Sequence, residues 1–445
     1  MLLTKEEAKS LSDKILSYSK ADSAIVTLSG GNTTNLRFAQ NTVSTCGAVD
    51  SISINIRSNF GKKSGSISIT SADDKDLENA VLRSEEIAIL SPDNKEFLPP
   101  PGKQDVYLEV DEFFEDTENL SPKDISDKIS YTLNKASEKD LTAAGYFECG
   151  TEFFSVSNTN GLFAYHKNTT SQFSSTMRTK DTNGSSKINR EYADINLLNV
   201  RKFSDRVAEN AILSGNPEKH DAGKFVAILD SAAVSDIIDR LIGSMNKRSA
   251  DEGRSFFSDK DKGNKIGQKI SNSKVNIISD PQLPEAPSTP FNYEGMPEFR
   301  TEWITDGVLK NLYSTRYWAE KTQSEFVSYP NNIYMKGTDK TVEDLIASTE
   351  RGIYVNRFWY IRDVDPSQLL LTGLTRDGVF LIENGKIKHA INNFRFNESP
   401  INILNNVIDM SVTEKVVGSE TDDAKIVVPA LKLSEFNFST ISDAT

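Results

Sequence analysis

The chain has 445 residues, 37% of them hydrophobic and 26% charged, a composition that fits a folded protein large enough for two or three cores. With 64 acidic against 51 basic residues, the formal net charge is −13 at pH 7 and the pI is near 5.0; such a surface repels phosphate backbones and argues against nucleic acid as the principal ligand. No run of eighteen apolar residues spans a membrane, and the polar start MLLTKEEAKSLSDKIL lacks the apolar centre of a signal peptide, so cytoplasmic residence is expected.

Thr4-Lys5-Glu6-Glu7 is a capping box ahead of Ala8, Leu11, Ile15 and Leu16 at helical spacing. Strand-like runs follow at residues 24–28, 35–40, 51–57 and 65–70. Ile52, Ile54 and Ile56 alternate with polar neighbours, as do Ile67 and Ile69, which is the period of a half-buried sheet. A helix is expected from about Asp73 to Leu90. Pro99, Pro100 and Pro101 then stand in a row within residues 91–104, and three prolines continue neither a helix nor a central strand, so a domain boundary is placed there.

Ser121-Pro122 combines an N-cap with proline at the first helical position, and Ile125, Ile129 and Leu133 form the stripe behind it. Strand runs at 145–158 and 162–168 meet at Asn160-Gly161, a two-residue hairpin signal. A helix at about 203–214 ends at Gly215, and residues 216–224 read as a second linker. Phe225 to Leu229 is a short buried strand; Asp230 or Ser231 caps a helix whose Val234, Ile237, Ile238, Leu241, Ile242 and Met245 form one wide apolar stripe. Strand-rich sequence follows, with hairpins at Asp306-Gly307 and Asn384-Gly385, and a last helix starting at Ser399-Pro400 is expected to bury Ile403, Leu404, Val407 and Ile408. The expected class is α+β: N-terminal sheet-and-helix domains at 1–98 and 105–217, then a C-terminal domain at 222–445 rich in antiparallel β-sheet.

The residues that carry chemistry are sparse. Cys46 and Cys149 are too few for a disulfide framework or a cysteine-rich zinc site, and both lie in strand-like surroundings as small buried thiols. His166, His220 and His389 are so far apart that no two share a helical turn, which excludes helical zinc motifs built on paired histidines. Neither a G-x-S-x-G elbow nor a P-loop occurs, and DKDKG at 259–263 lacks the closing Glu of a calcium loop. Arg254, Arg300, Arg316 and Arg376 stand beside aromatics or turns. They are candidates for a groove that clamps a peptide's carboxylate and carbonyls; the alternative is that they stack on aromatic rings and pair with acids.

Three stretches, RFAQNTVST (37–45), FRTEWITDGVLKNLYSTRYWA (299–319) and residues 343–400, resemble the TldD/PmbA family, whose members are also called modulators of DNA gyrase. The resemblance implies a cytoplasmic metallopeptidase assembled as a heterodimer. In it the TldD-type subunit carries His-Glu-x-x-x-His on a helix of the C-terminal domain, with a cysteine near the C-terminus, while the PmbA type lacks these ligands. The corresponding helix here reads IIDRLIG, residues 237–243: Ile238 and Gly243 fall where histidines would stand, Asp239 falls near the general-base position, and no cysteine follows Cys149. The chain therefore looks like the PmbA-like subunit, with no cofactor of its own and zinc expected in its partner. Implied partners are a TldD-type catalytic subunit and unfolded peptide, with a homodimer when that subunit is missing; neither nucleic acid nor a membrane is expected. Two rival readings remain: a hydrolase built from His166, His220, His389 and scattered carboxylates, and a binding protein that modulates gyrase.

Overall fold

The computed structural model describes every residue except 182, 420, 422, 423 and 443–445. Its first half is built on one antiparallel sheet of six strands, β1 (Ser23–Ala39), β2 (Thr42–Phe60), β3 (Lys63–Ile69), β4 (Leu141–Asn158), β5 (Phe163–Thr179) and β6 (Ser185–Tyr192), ordered β3-β2-β1-β4-β5-β6. The runs at 24–28 and 35–40 belong to the single strand β1, and 51–57 lies within the longer β2. Polar Ser29 to Thr34 stays extended because β2 and β4 hydrogen-bond its two edges along this whole stretch. The β1–β4 pairing also carries the sheet across the proline-rich residues 91–104.

Helices α1 (Lys5–Tyr18), α2 (Asp74–Leu90), α3 (Glu115–Glu118), α4 (Pro122–Glu138) and α5 (Val200–Leu213) cover this sheet. Both Thr4 and Ser121 form complete capping boxes, with Glu7 and Asp124 respectively. Two separate apolar clusters result. Ala8, Ile15 and Val81 of α1 and α2 pack on Val26, Leu28, Ile54 and Ile56, whereas Ile125, Ile129, Phe203 and Val207 of α4 and α5 pack on Phe147, Phe173 and Met177.

The second half continues with β7 (Gly223–Leu229), α6 (Ser231–Ser244), α7 (Lys247–Asp251), β8 (Ser258–Asp259), β9 (Gly263–Asn264), β10 (Ile277–Ser279), β11 (Thr301–Thr305), β12 (Val308–Leu309) and α8 (Arg316–Thr322). Then come β13 (Asn332–Met335), α9 (Val342–Ala347), β14 (Arg351–Asp365), β15 (Leu370–Glu383), β16 (Lys386–Ala390), β17 (Asn393–Glu398), α10 (Pro400–Asn405), β18 (Val407–Val416) and β19 (Lys425–Ser442). Apart from the β8–β9 ribbon these strands make one eleven-stranded sheet, antiparallel except where β7 meets β14 and β13 meets β19. β7 also pairs with β19, which closes β7, β14, β15, β17 and β19 into a ring. Phe358, Phe394, Phe396, Phe436 and Phe438 pack there in mutual ring contact, all fully buried. The architecture is α+β.

One expected element differs. The helix opened by Ser399-Pro400 stops at Asn405, and Val407 begins β18, paired with Leu433 of β19. Period 2 replaces period 3.6 at that point, so Val407 is buried while Ile408 is 42% exposed.

Candidate functional site

β7 ends at Leu229 and α6 begins at Ser231; the residue between them, Asp230, is 1% exposed. Its Oδ1 accepts the Ala232 amide at 3.4 Å and caps α6. Its Oδ2 accepts Arg206 Nη2 of α5 at 2.6 Å and also the Tyr354 hydroxyl of β14. Arg206 Nη1 lies 3.3 Å from Glu414 of β18, Arg190 Nη2 of β6 reaches the same carboxylate at 2.7 Å, and the Ser231 hydroxyl donates to it at 3.1 Å. Thus two arginines from the first half of the chain interleave with two carboxylates from the second.

Burial alone would lift the Glu414 carboxyl; Arg190 and Arg206 override it and hold it at about 2. The Asp230 charge, working against burial, keeps the Arg206 guanidinium well above its ordinary value. Burial first, and the Asp230 charge second, push the Tyr354 hydroxyl far up. These groups spend their charge on one another. The result is a closed network joining two sheets at the foot of α6, rather than a poised acid or base.

Further along α6, Ile238 is 0% exposed and packs in the main core with Val234, Leu241 and Ile242. Asp239 is half-buried, and Gly243 is exposed with no side chain to offer. The Gly243 carbonyl accepts the Tyr313 hydroxyl at 2.7 Å, Tyr313 meets Tyr329 edge-on at 5.0 Å, and burial followed by the Asp239 charge pushes the Tyr329 hydroxyl up to about 12. A Cβ on Gly418 would fall 2.2 Å from Asp236 Oδ1 and 2.7 Å from Ser235 Oγ, so a larger residue there would have to push those two side chains aside. Among the described residues no group of three or more His, Cys, Asp or Glu side chains is placed to hold a metal ion. An apolar side chain and a glycine do not fit a zinc ligand set.

The four arginines turn to four different partners. Arg254, which is exposed, pairs with Glu252; Arg300, also exposed, lies 4.0 Å from Asp280; Arg376 stacks over Trp359 at 4.3 Å. Arg316 pairs with Glu294 at 3.0 Å, donates to the Pro99 carbonyl at 2.6 Å, and lines a cavity of about 220 Å³ with Arg57, Glu96 and Tyr293. The histidines do not converge either. His166 Nε2 lies 2.8 Å from buried Glu112, which also takes Lys425; His220 packs edge-on against Phe225; His389 faces Glu218 at 3.4 Å. Cys149 is buried in the sheet, where desolvation raises its thiol to about 11, while Cys46 is exposed rather than buried, on the outer part of β2.

A larger cavity, about 620 Å³, opens over the six-stranded sheet between Gly30, Gly31, Glu148, Glu152, Phe153 and Gln172, with Thr289 and Lys425 from the second half on its wall. Its size suits a short peptide segment or another ligand of that bulk. No local sequence signal marked it, because its lining comes from strands more than a hundred residues apart.

Residues 222–440 match a family model described as the PmbA/TldA metallopeptidase C-terminal domain. The metalloprotease PmbA of Escherichia coli is 22% identical over 231 residues, which is 49% of this chain and 48% of PmbA. The matches to curated relatives, all metalloproteases by name, span between 36% and 48% of those relatives' own length. Among solved structures, TldE of Thermococcus kodakarensis superposes with a TM-score of 0.84 at 17% identity, covering 97% of this chain and 99% of that one. A candidate modulator of a DNA gyrase from Thermotoga maritima gives a TM-score of 0.82 at 17% identity with the same coverage. Likeness at such identity establishes the shared fold.

Proposed function

This chain belongs to the PmbA/TldD metallopeptidase family, and we propose that within it the chain is the non-catalytic subunit of a cytoplasmic peptidase complex, with the metal carried by a TldD-type partner. The observation that carries the reading is Ile238. A hydrolytic zinc site needs three protein ligands and an open position for water. At the helix where relatives of the catalytic type are expected to hold such ligands, this chain buries an isoleucine in its main core and leaves Gly243 without a donor atom.

The role left to the subunit is shape. The cavity of about 620 Å³ is walled by the face of the sheet, with Phe153, carboxylates and Lys425 on its lining, surroundings that give an unfolded peptide side-chain hydrogen bonds and apolar contact. The test is a reconstitution. The purified chain and a TldD-type protein from the same genome are assayed separately and mixed, on a denatured protein substrate, with zinc quantified by elemental analysis. Activity that appears only in the mixture, with no stoichiometric zinc on this chain alone, is the expected result. Comparable hydrolysis by this chain alone, or one tightly held zinc per chain, would overturn the proposal.

A further inference from the structure

We infer that the gap between the open edge of β6, the first turn of α6 and Asn356–Arg357 of β14 is a binding site for one carboxylate group, with Lys187 as its counter-charge. This inference stands independently of whether the chain is catalytic.

β6 is the outer strand of the six-stranded sheet and pairs with β5 alone. Against it lies a cavity of about 20 Å³, whose lining includes Lys187 and Arg190 of β6, Asn210 of α5, Asp230 at the start of α6, and Asn356 and Arg357. Most of the charge on these walls is matched. Asp230 accepts from Arg206 and Tyr354, Arg190 donates to Glu414, and Arg357 Nε donates to Asp377 at 2.6 Å.

Lys187 is the exception. Among the described residues its ammonium has no hydrogen-bond or ion-pair partner. Burial first, and the Arg357 charge second, hold it below its ordinary value, and the charges of Asp377 and Asp236 offset this only in part. Two further donors stand beside it. Arg190 Nε, on a side chain 2% exposed, has no partner, and the Asn210 amide bonds to no described residue. A buried donor left unpaired costs about 1–3 kcal/mol. Water would satisfy these donors but not the charge; an anion satisfies both.

The volume decides which anion. A water-sized group needs about 10–15 Å³ of such space, so the cavity takes the two oxygens of a carboxylate and not the four of a phosphate. One unmatched positive charge likewise suits one negative charge. Lys187 and Asn210 keep partial exposure, which leaves a way in for a carboxylate whose remaining atoms stay outside.

Isothermal titration at low ionic strength tests this with N-acetyl-trialanine bearing a free C-terminal carboxylate, the same peptide as its amide, sodium acetate and inorganic phosphate. A carboxylate is expected to bind, the amide not at all and phosphate more weakly, and Lys187→Met should weaken the binding at least about tenfold, as loss of a charged hydrogen bond does. Acetate binding as tightly as the free-acid peptide would assign the site to small acids; a tighter peptide would assign it to chain ends. Circular dichroism checks that Lys187→Met is folded; if it is not, Asn210→Ala takes its place, with weaker binding again expected. No heat from either carboxylate at millimolar concentration, equal binding of the amide, phosphate at least as tight, or a folded variant that binds like wild type overturns the inference.

Discussion

Arg190 on β6 donates to Glu414 on β18 at 2.7 Å, an ion pair that ties the six-stranded sheet to the eleven-stranded one. The Arg190 side chain is 2% exposed and Glu414 also receives Arg206, so removing the carboxylate strands a buried guanidinium. Glu414→Gln is expected to cost about 3 kcal/mol, read from the urea midpoint. The sign with pH follows from the depressed pKa. A carboxyl held at about 2 when folded and near 4.5 when unfolded stabilises above pH 4.5, and that contribution is lost as pH falls through 2. The gap between wild type and variant should stay flat from pH 5 to 8 and narrow in acid; a gap that does not narrow would assign the effect to packing.

The two degenerate positions of α6 predict opposite outcomes. Ile238 is enclosed by the main core, so Ile238→Ala should destabilise by about 3 kcal/mol through lost burial and a cavity. Gly243 is exposed near the end of the helix, and a Cβ there meets nothing within 4 Å. Gly243→Ala should stabilise by about 0.5–1 kcal/mol, because alanine gives up less chain entropy in a helix. Thermal melts of the two single variants check both signs.

Much of the fold was legible because its signals are local. A side chain three residues from the amide it caps reveals itself, as at Thr4 with Glu7 and Ser121 with Asp124. The hairpins at Asp306-Gly307 and Asn384-Gly385 were equally plain, since all four residues take positive φ, which asparagine, aspartate and glycine tolerate. The apolar stripe of α6 likewise announced its burial. The network at Asp230 was not legible, since Arg190 and Glu414 are 224 positions apart and nothing around either marks the other. The closing β7–β19 pairing is hidden for the same reason. Ile408 misled because an apolar residue at helical spacing beyond Leu404 is equally consistent with the outward face of a strand.

Glu298 is 8% exposed, and burial raises its carboxyl to about 7, opposed only in part by the Ser328 hydroxyl, which donates at 2.8 Å. A folded pKa above the unfolded 4.5 gives stability that is fully present below pH 4.5 and lost as pH rises through 7. Glu298→Gln keeps an acceptor for Ser328 and removes the charge. It should therefore raise the melting temperature at pH 8, by a gain of about 1–3 kcal/mol, and make no difference at pH 4. An equal gain at both pH values would show that the charge is not the cause.

Lys415 sets the opposite case on β18, one residue after Glu414. It is 7% exposed and lies 5.7 Å from the Tyr192 ring centre, and the charges of Glu191 and Glu112 oppose the effect of its burial only in part. Burial lowers its ammonium from 10.5 to about 8, so at neutral pH the folded chain carries a charge that it holds poorly. Lys415→Met keeps most of the apolar stem and removes that charge, with an expected gain of about 1–3 kcal/mol at pH 7. Between pH 8 and 10.5 the unfolded chain binds the proton that the folded one has released, so this group makes wild-type stability rise with pH. The advantage of the variant should therefore shrink steadily across that window. Urea unfolding at pH 7, 9 and 10 reads the trend directly, and a constant or widening advantage would mean that Lys415 is buried at no electrostatic cost.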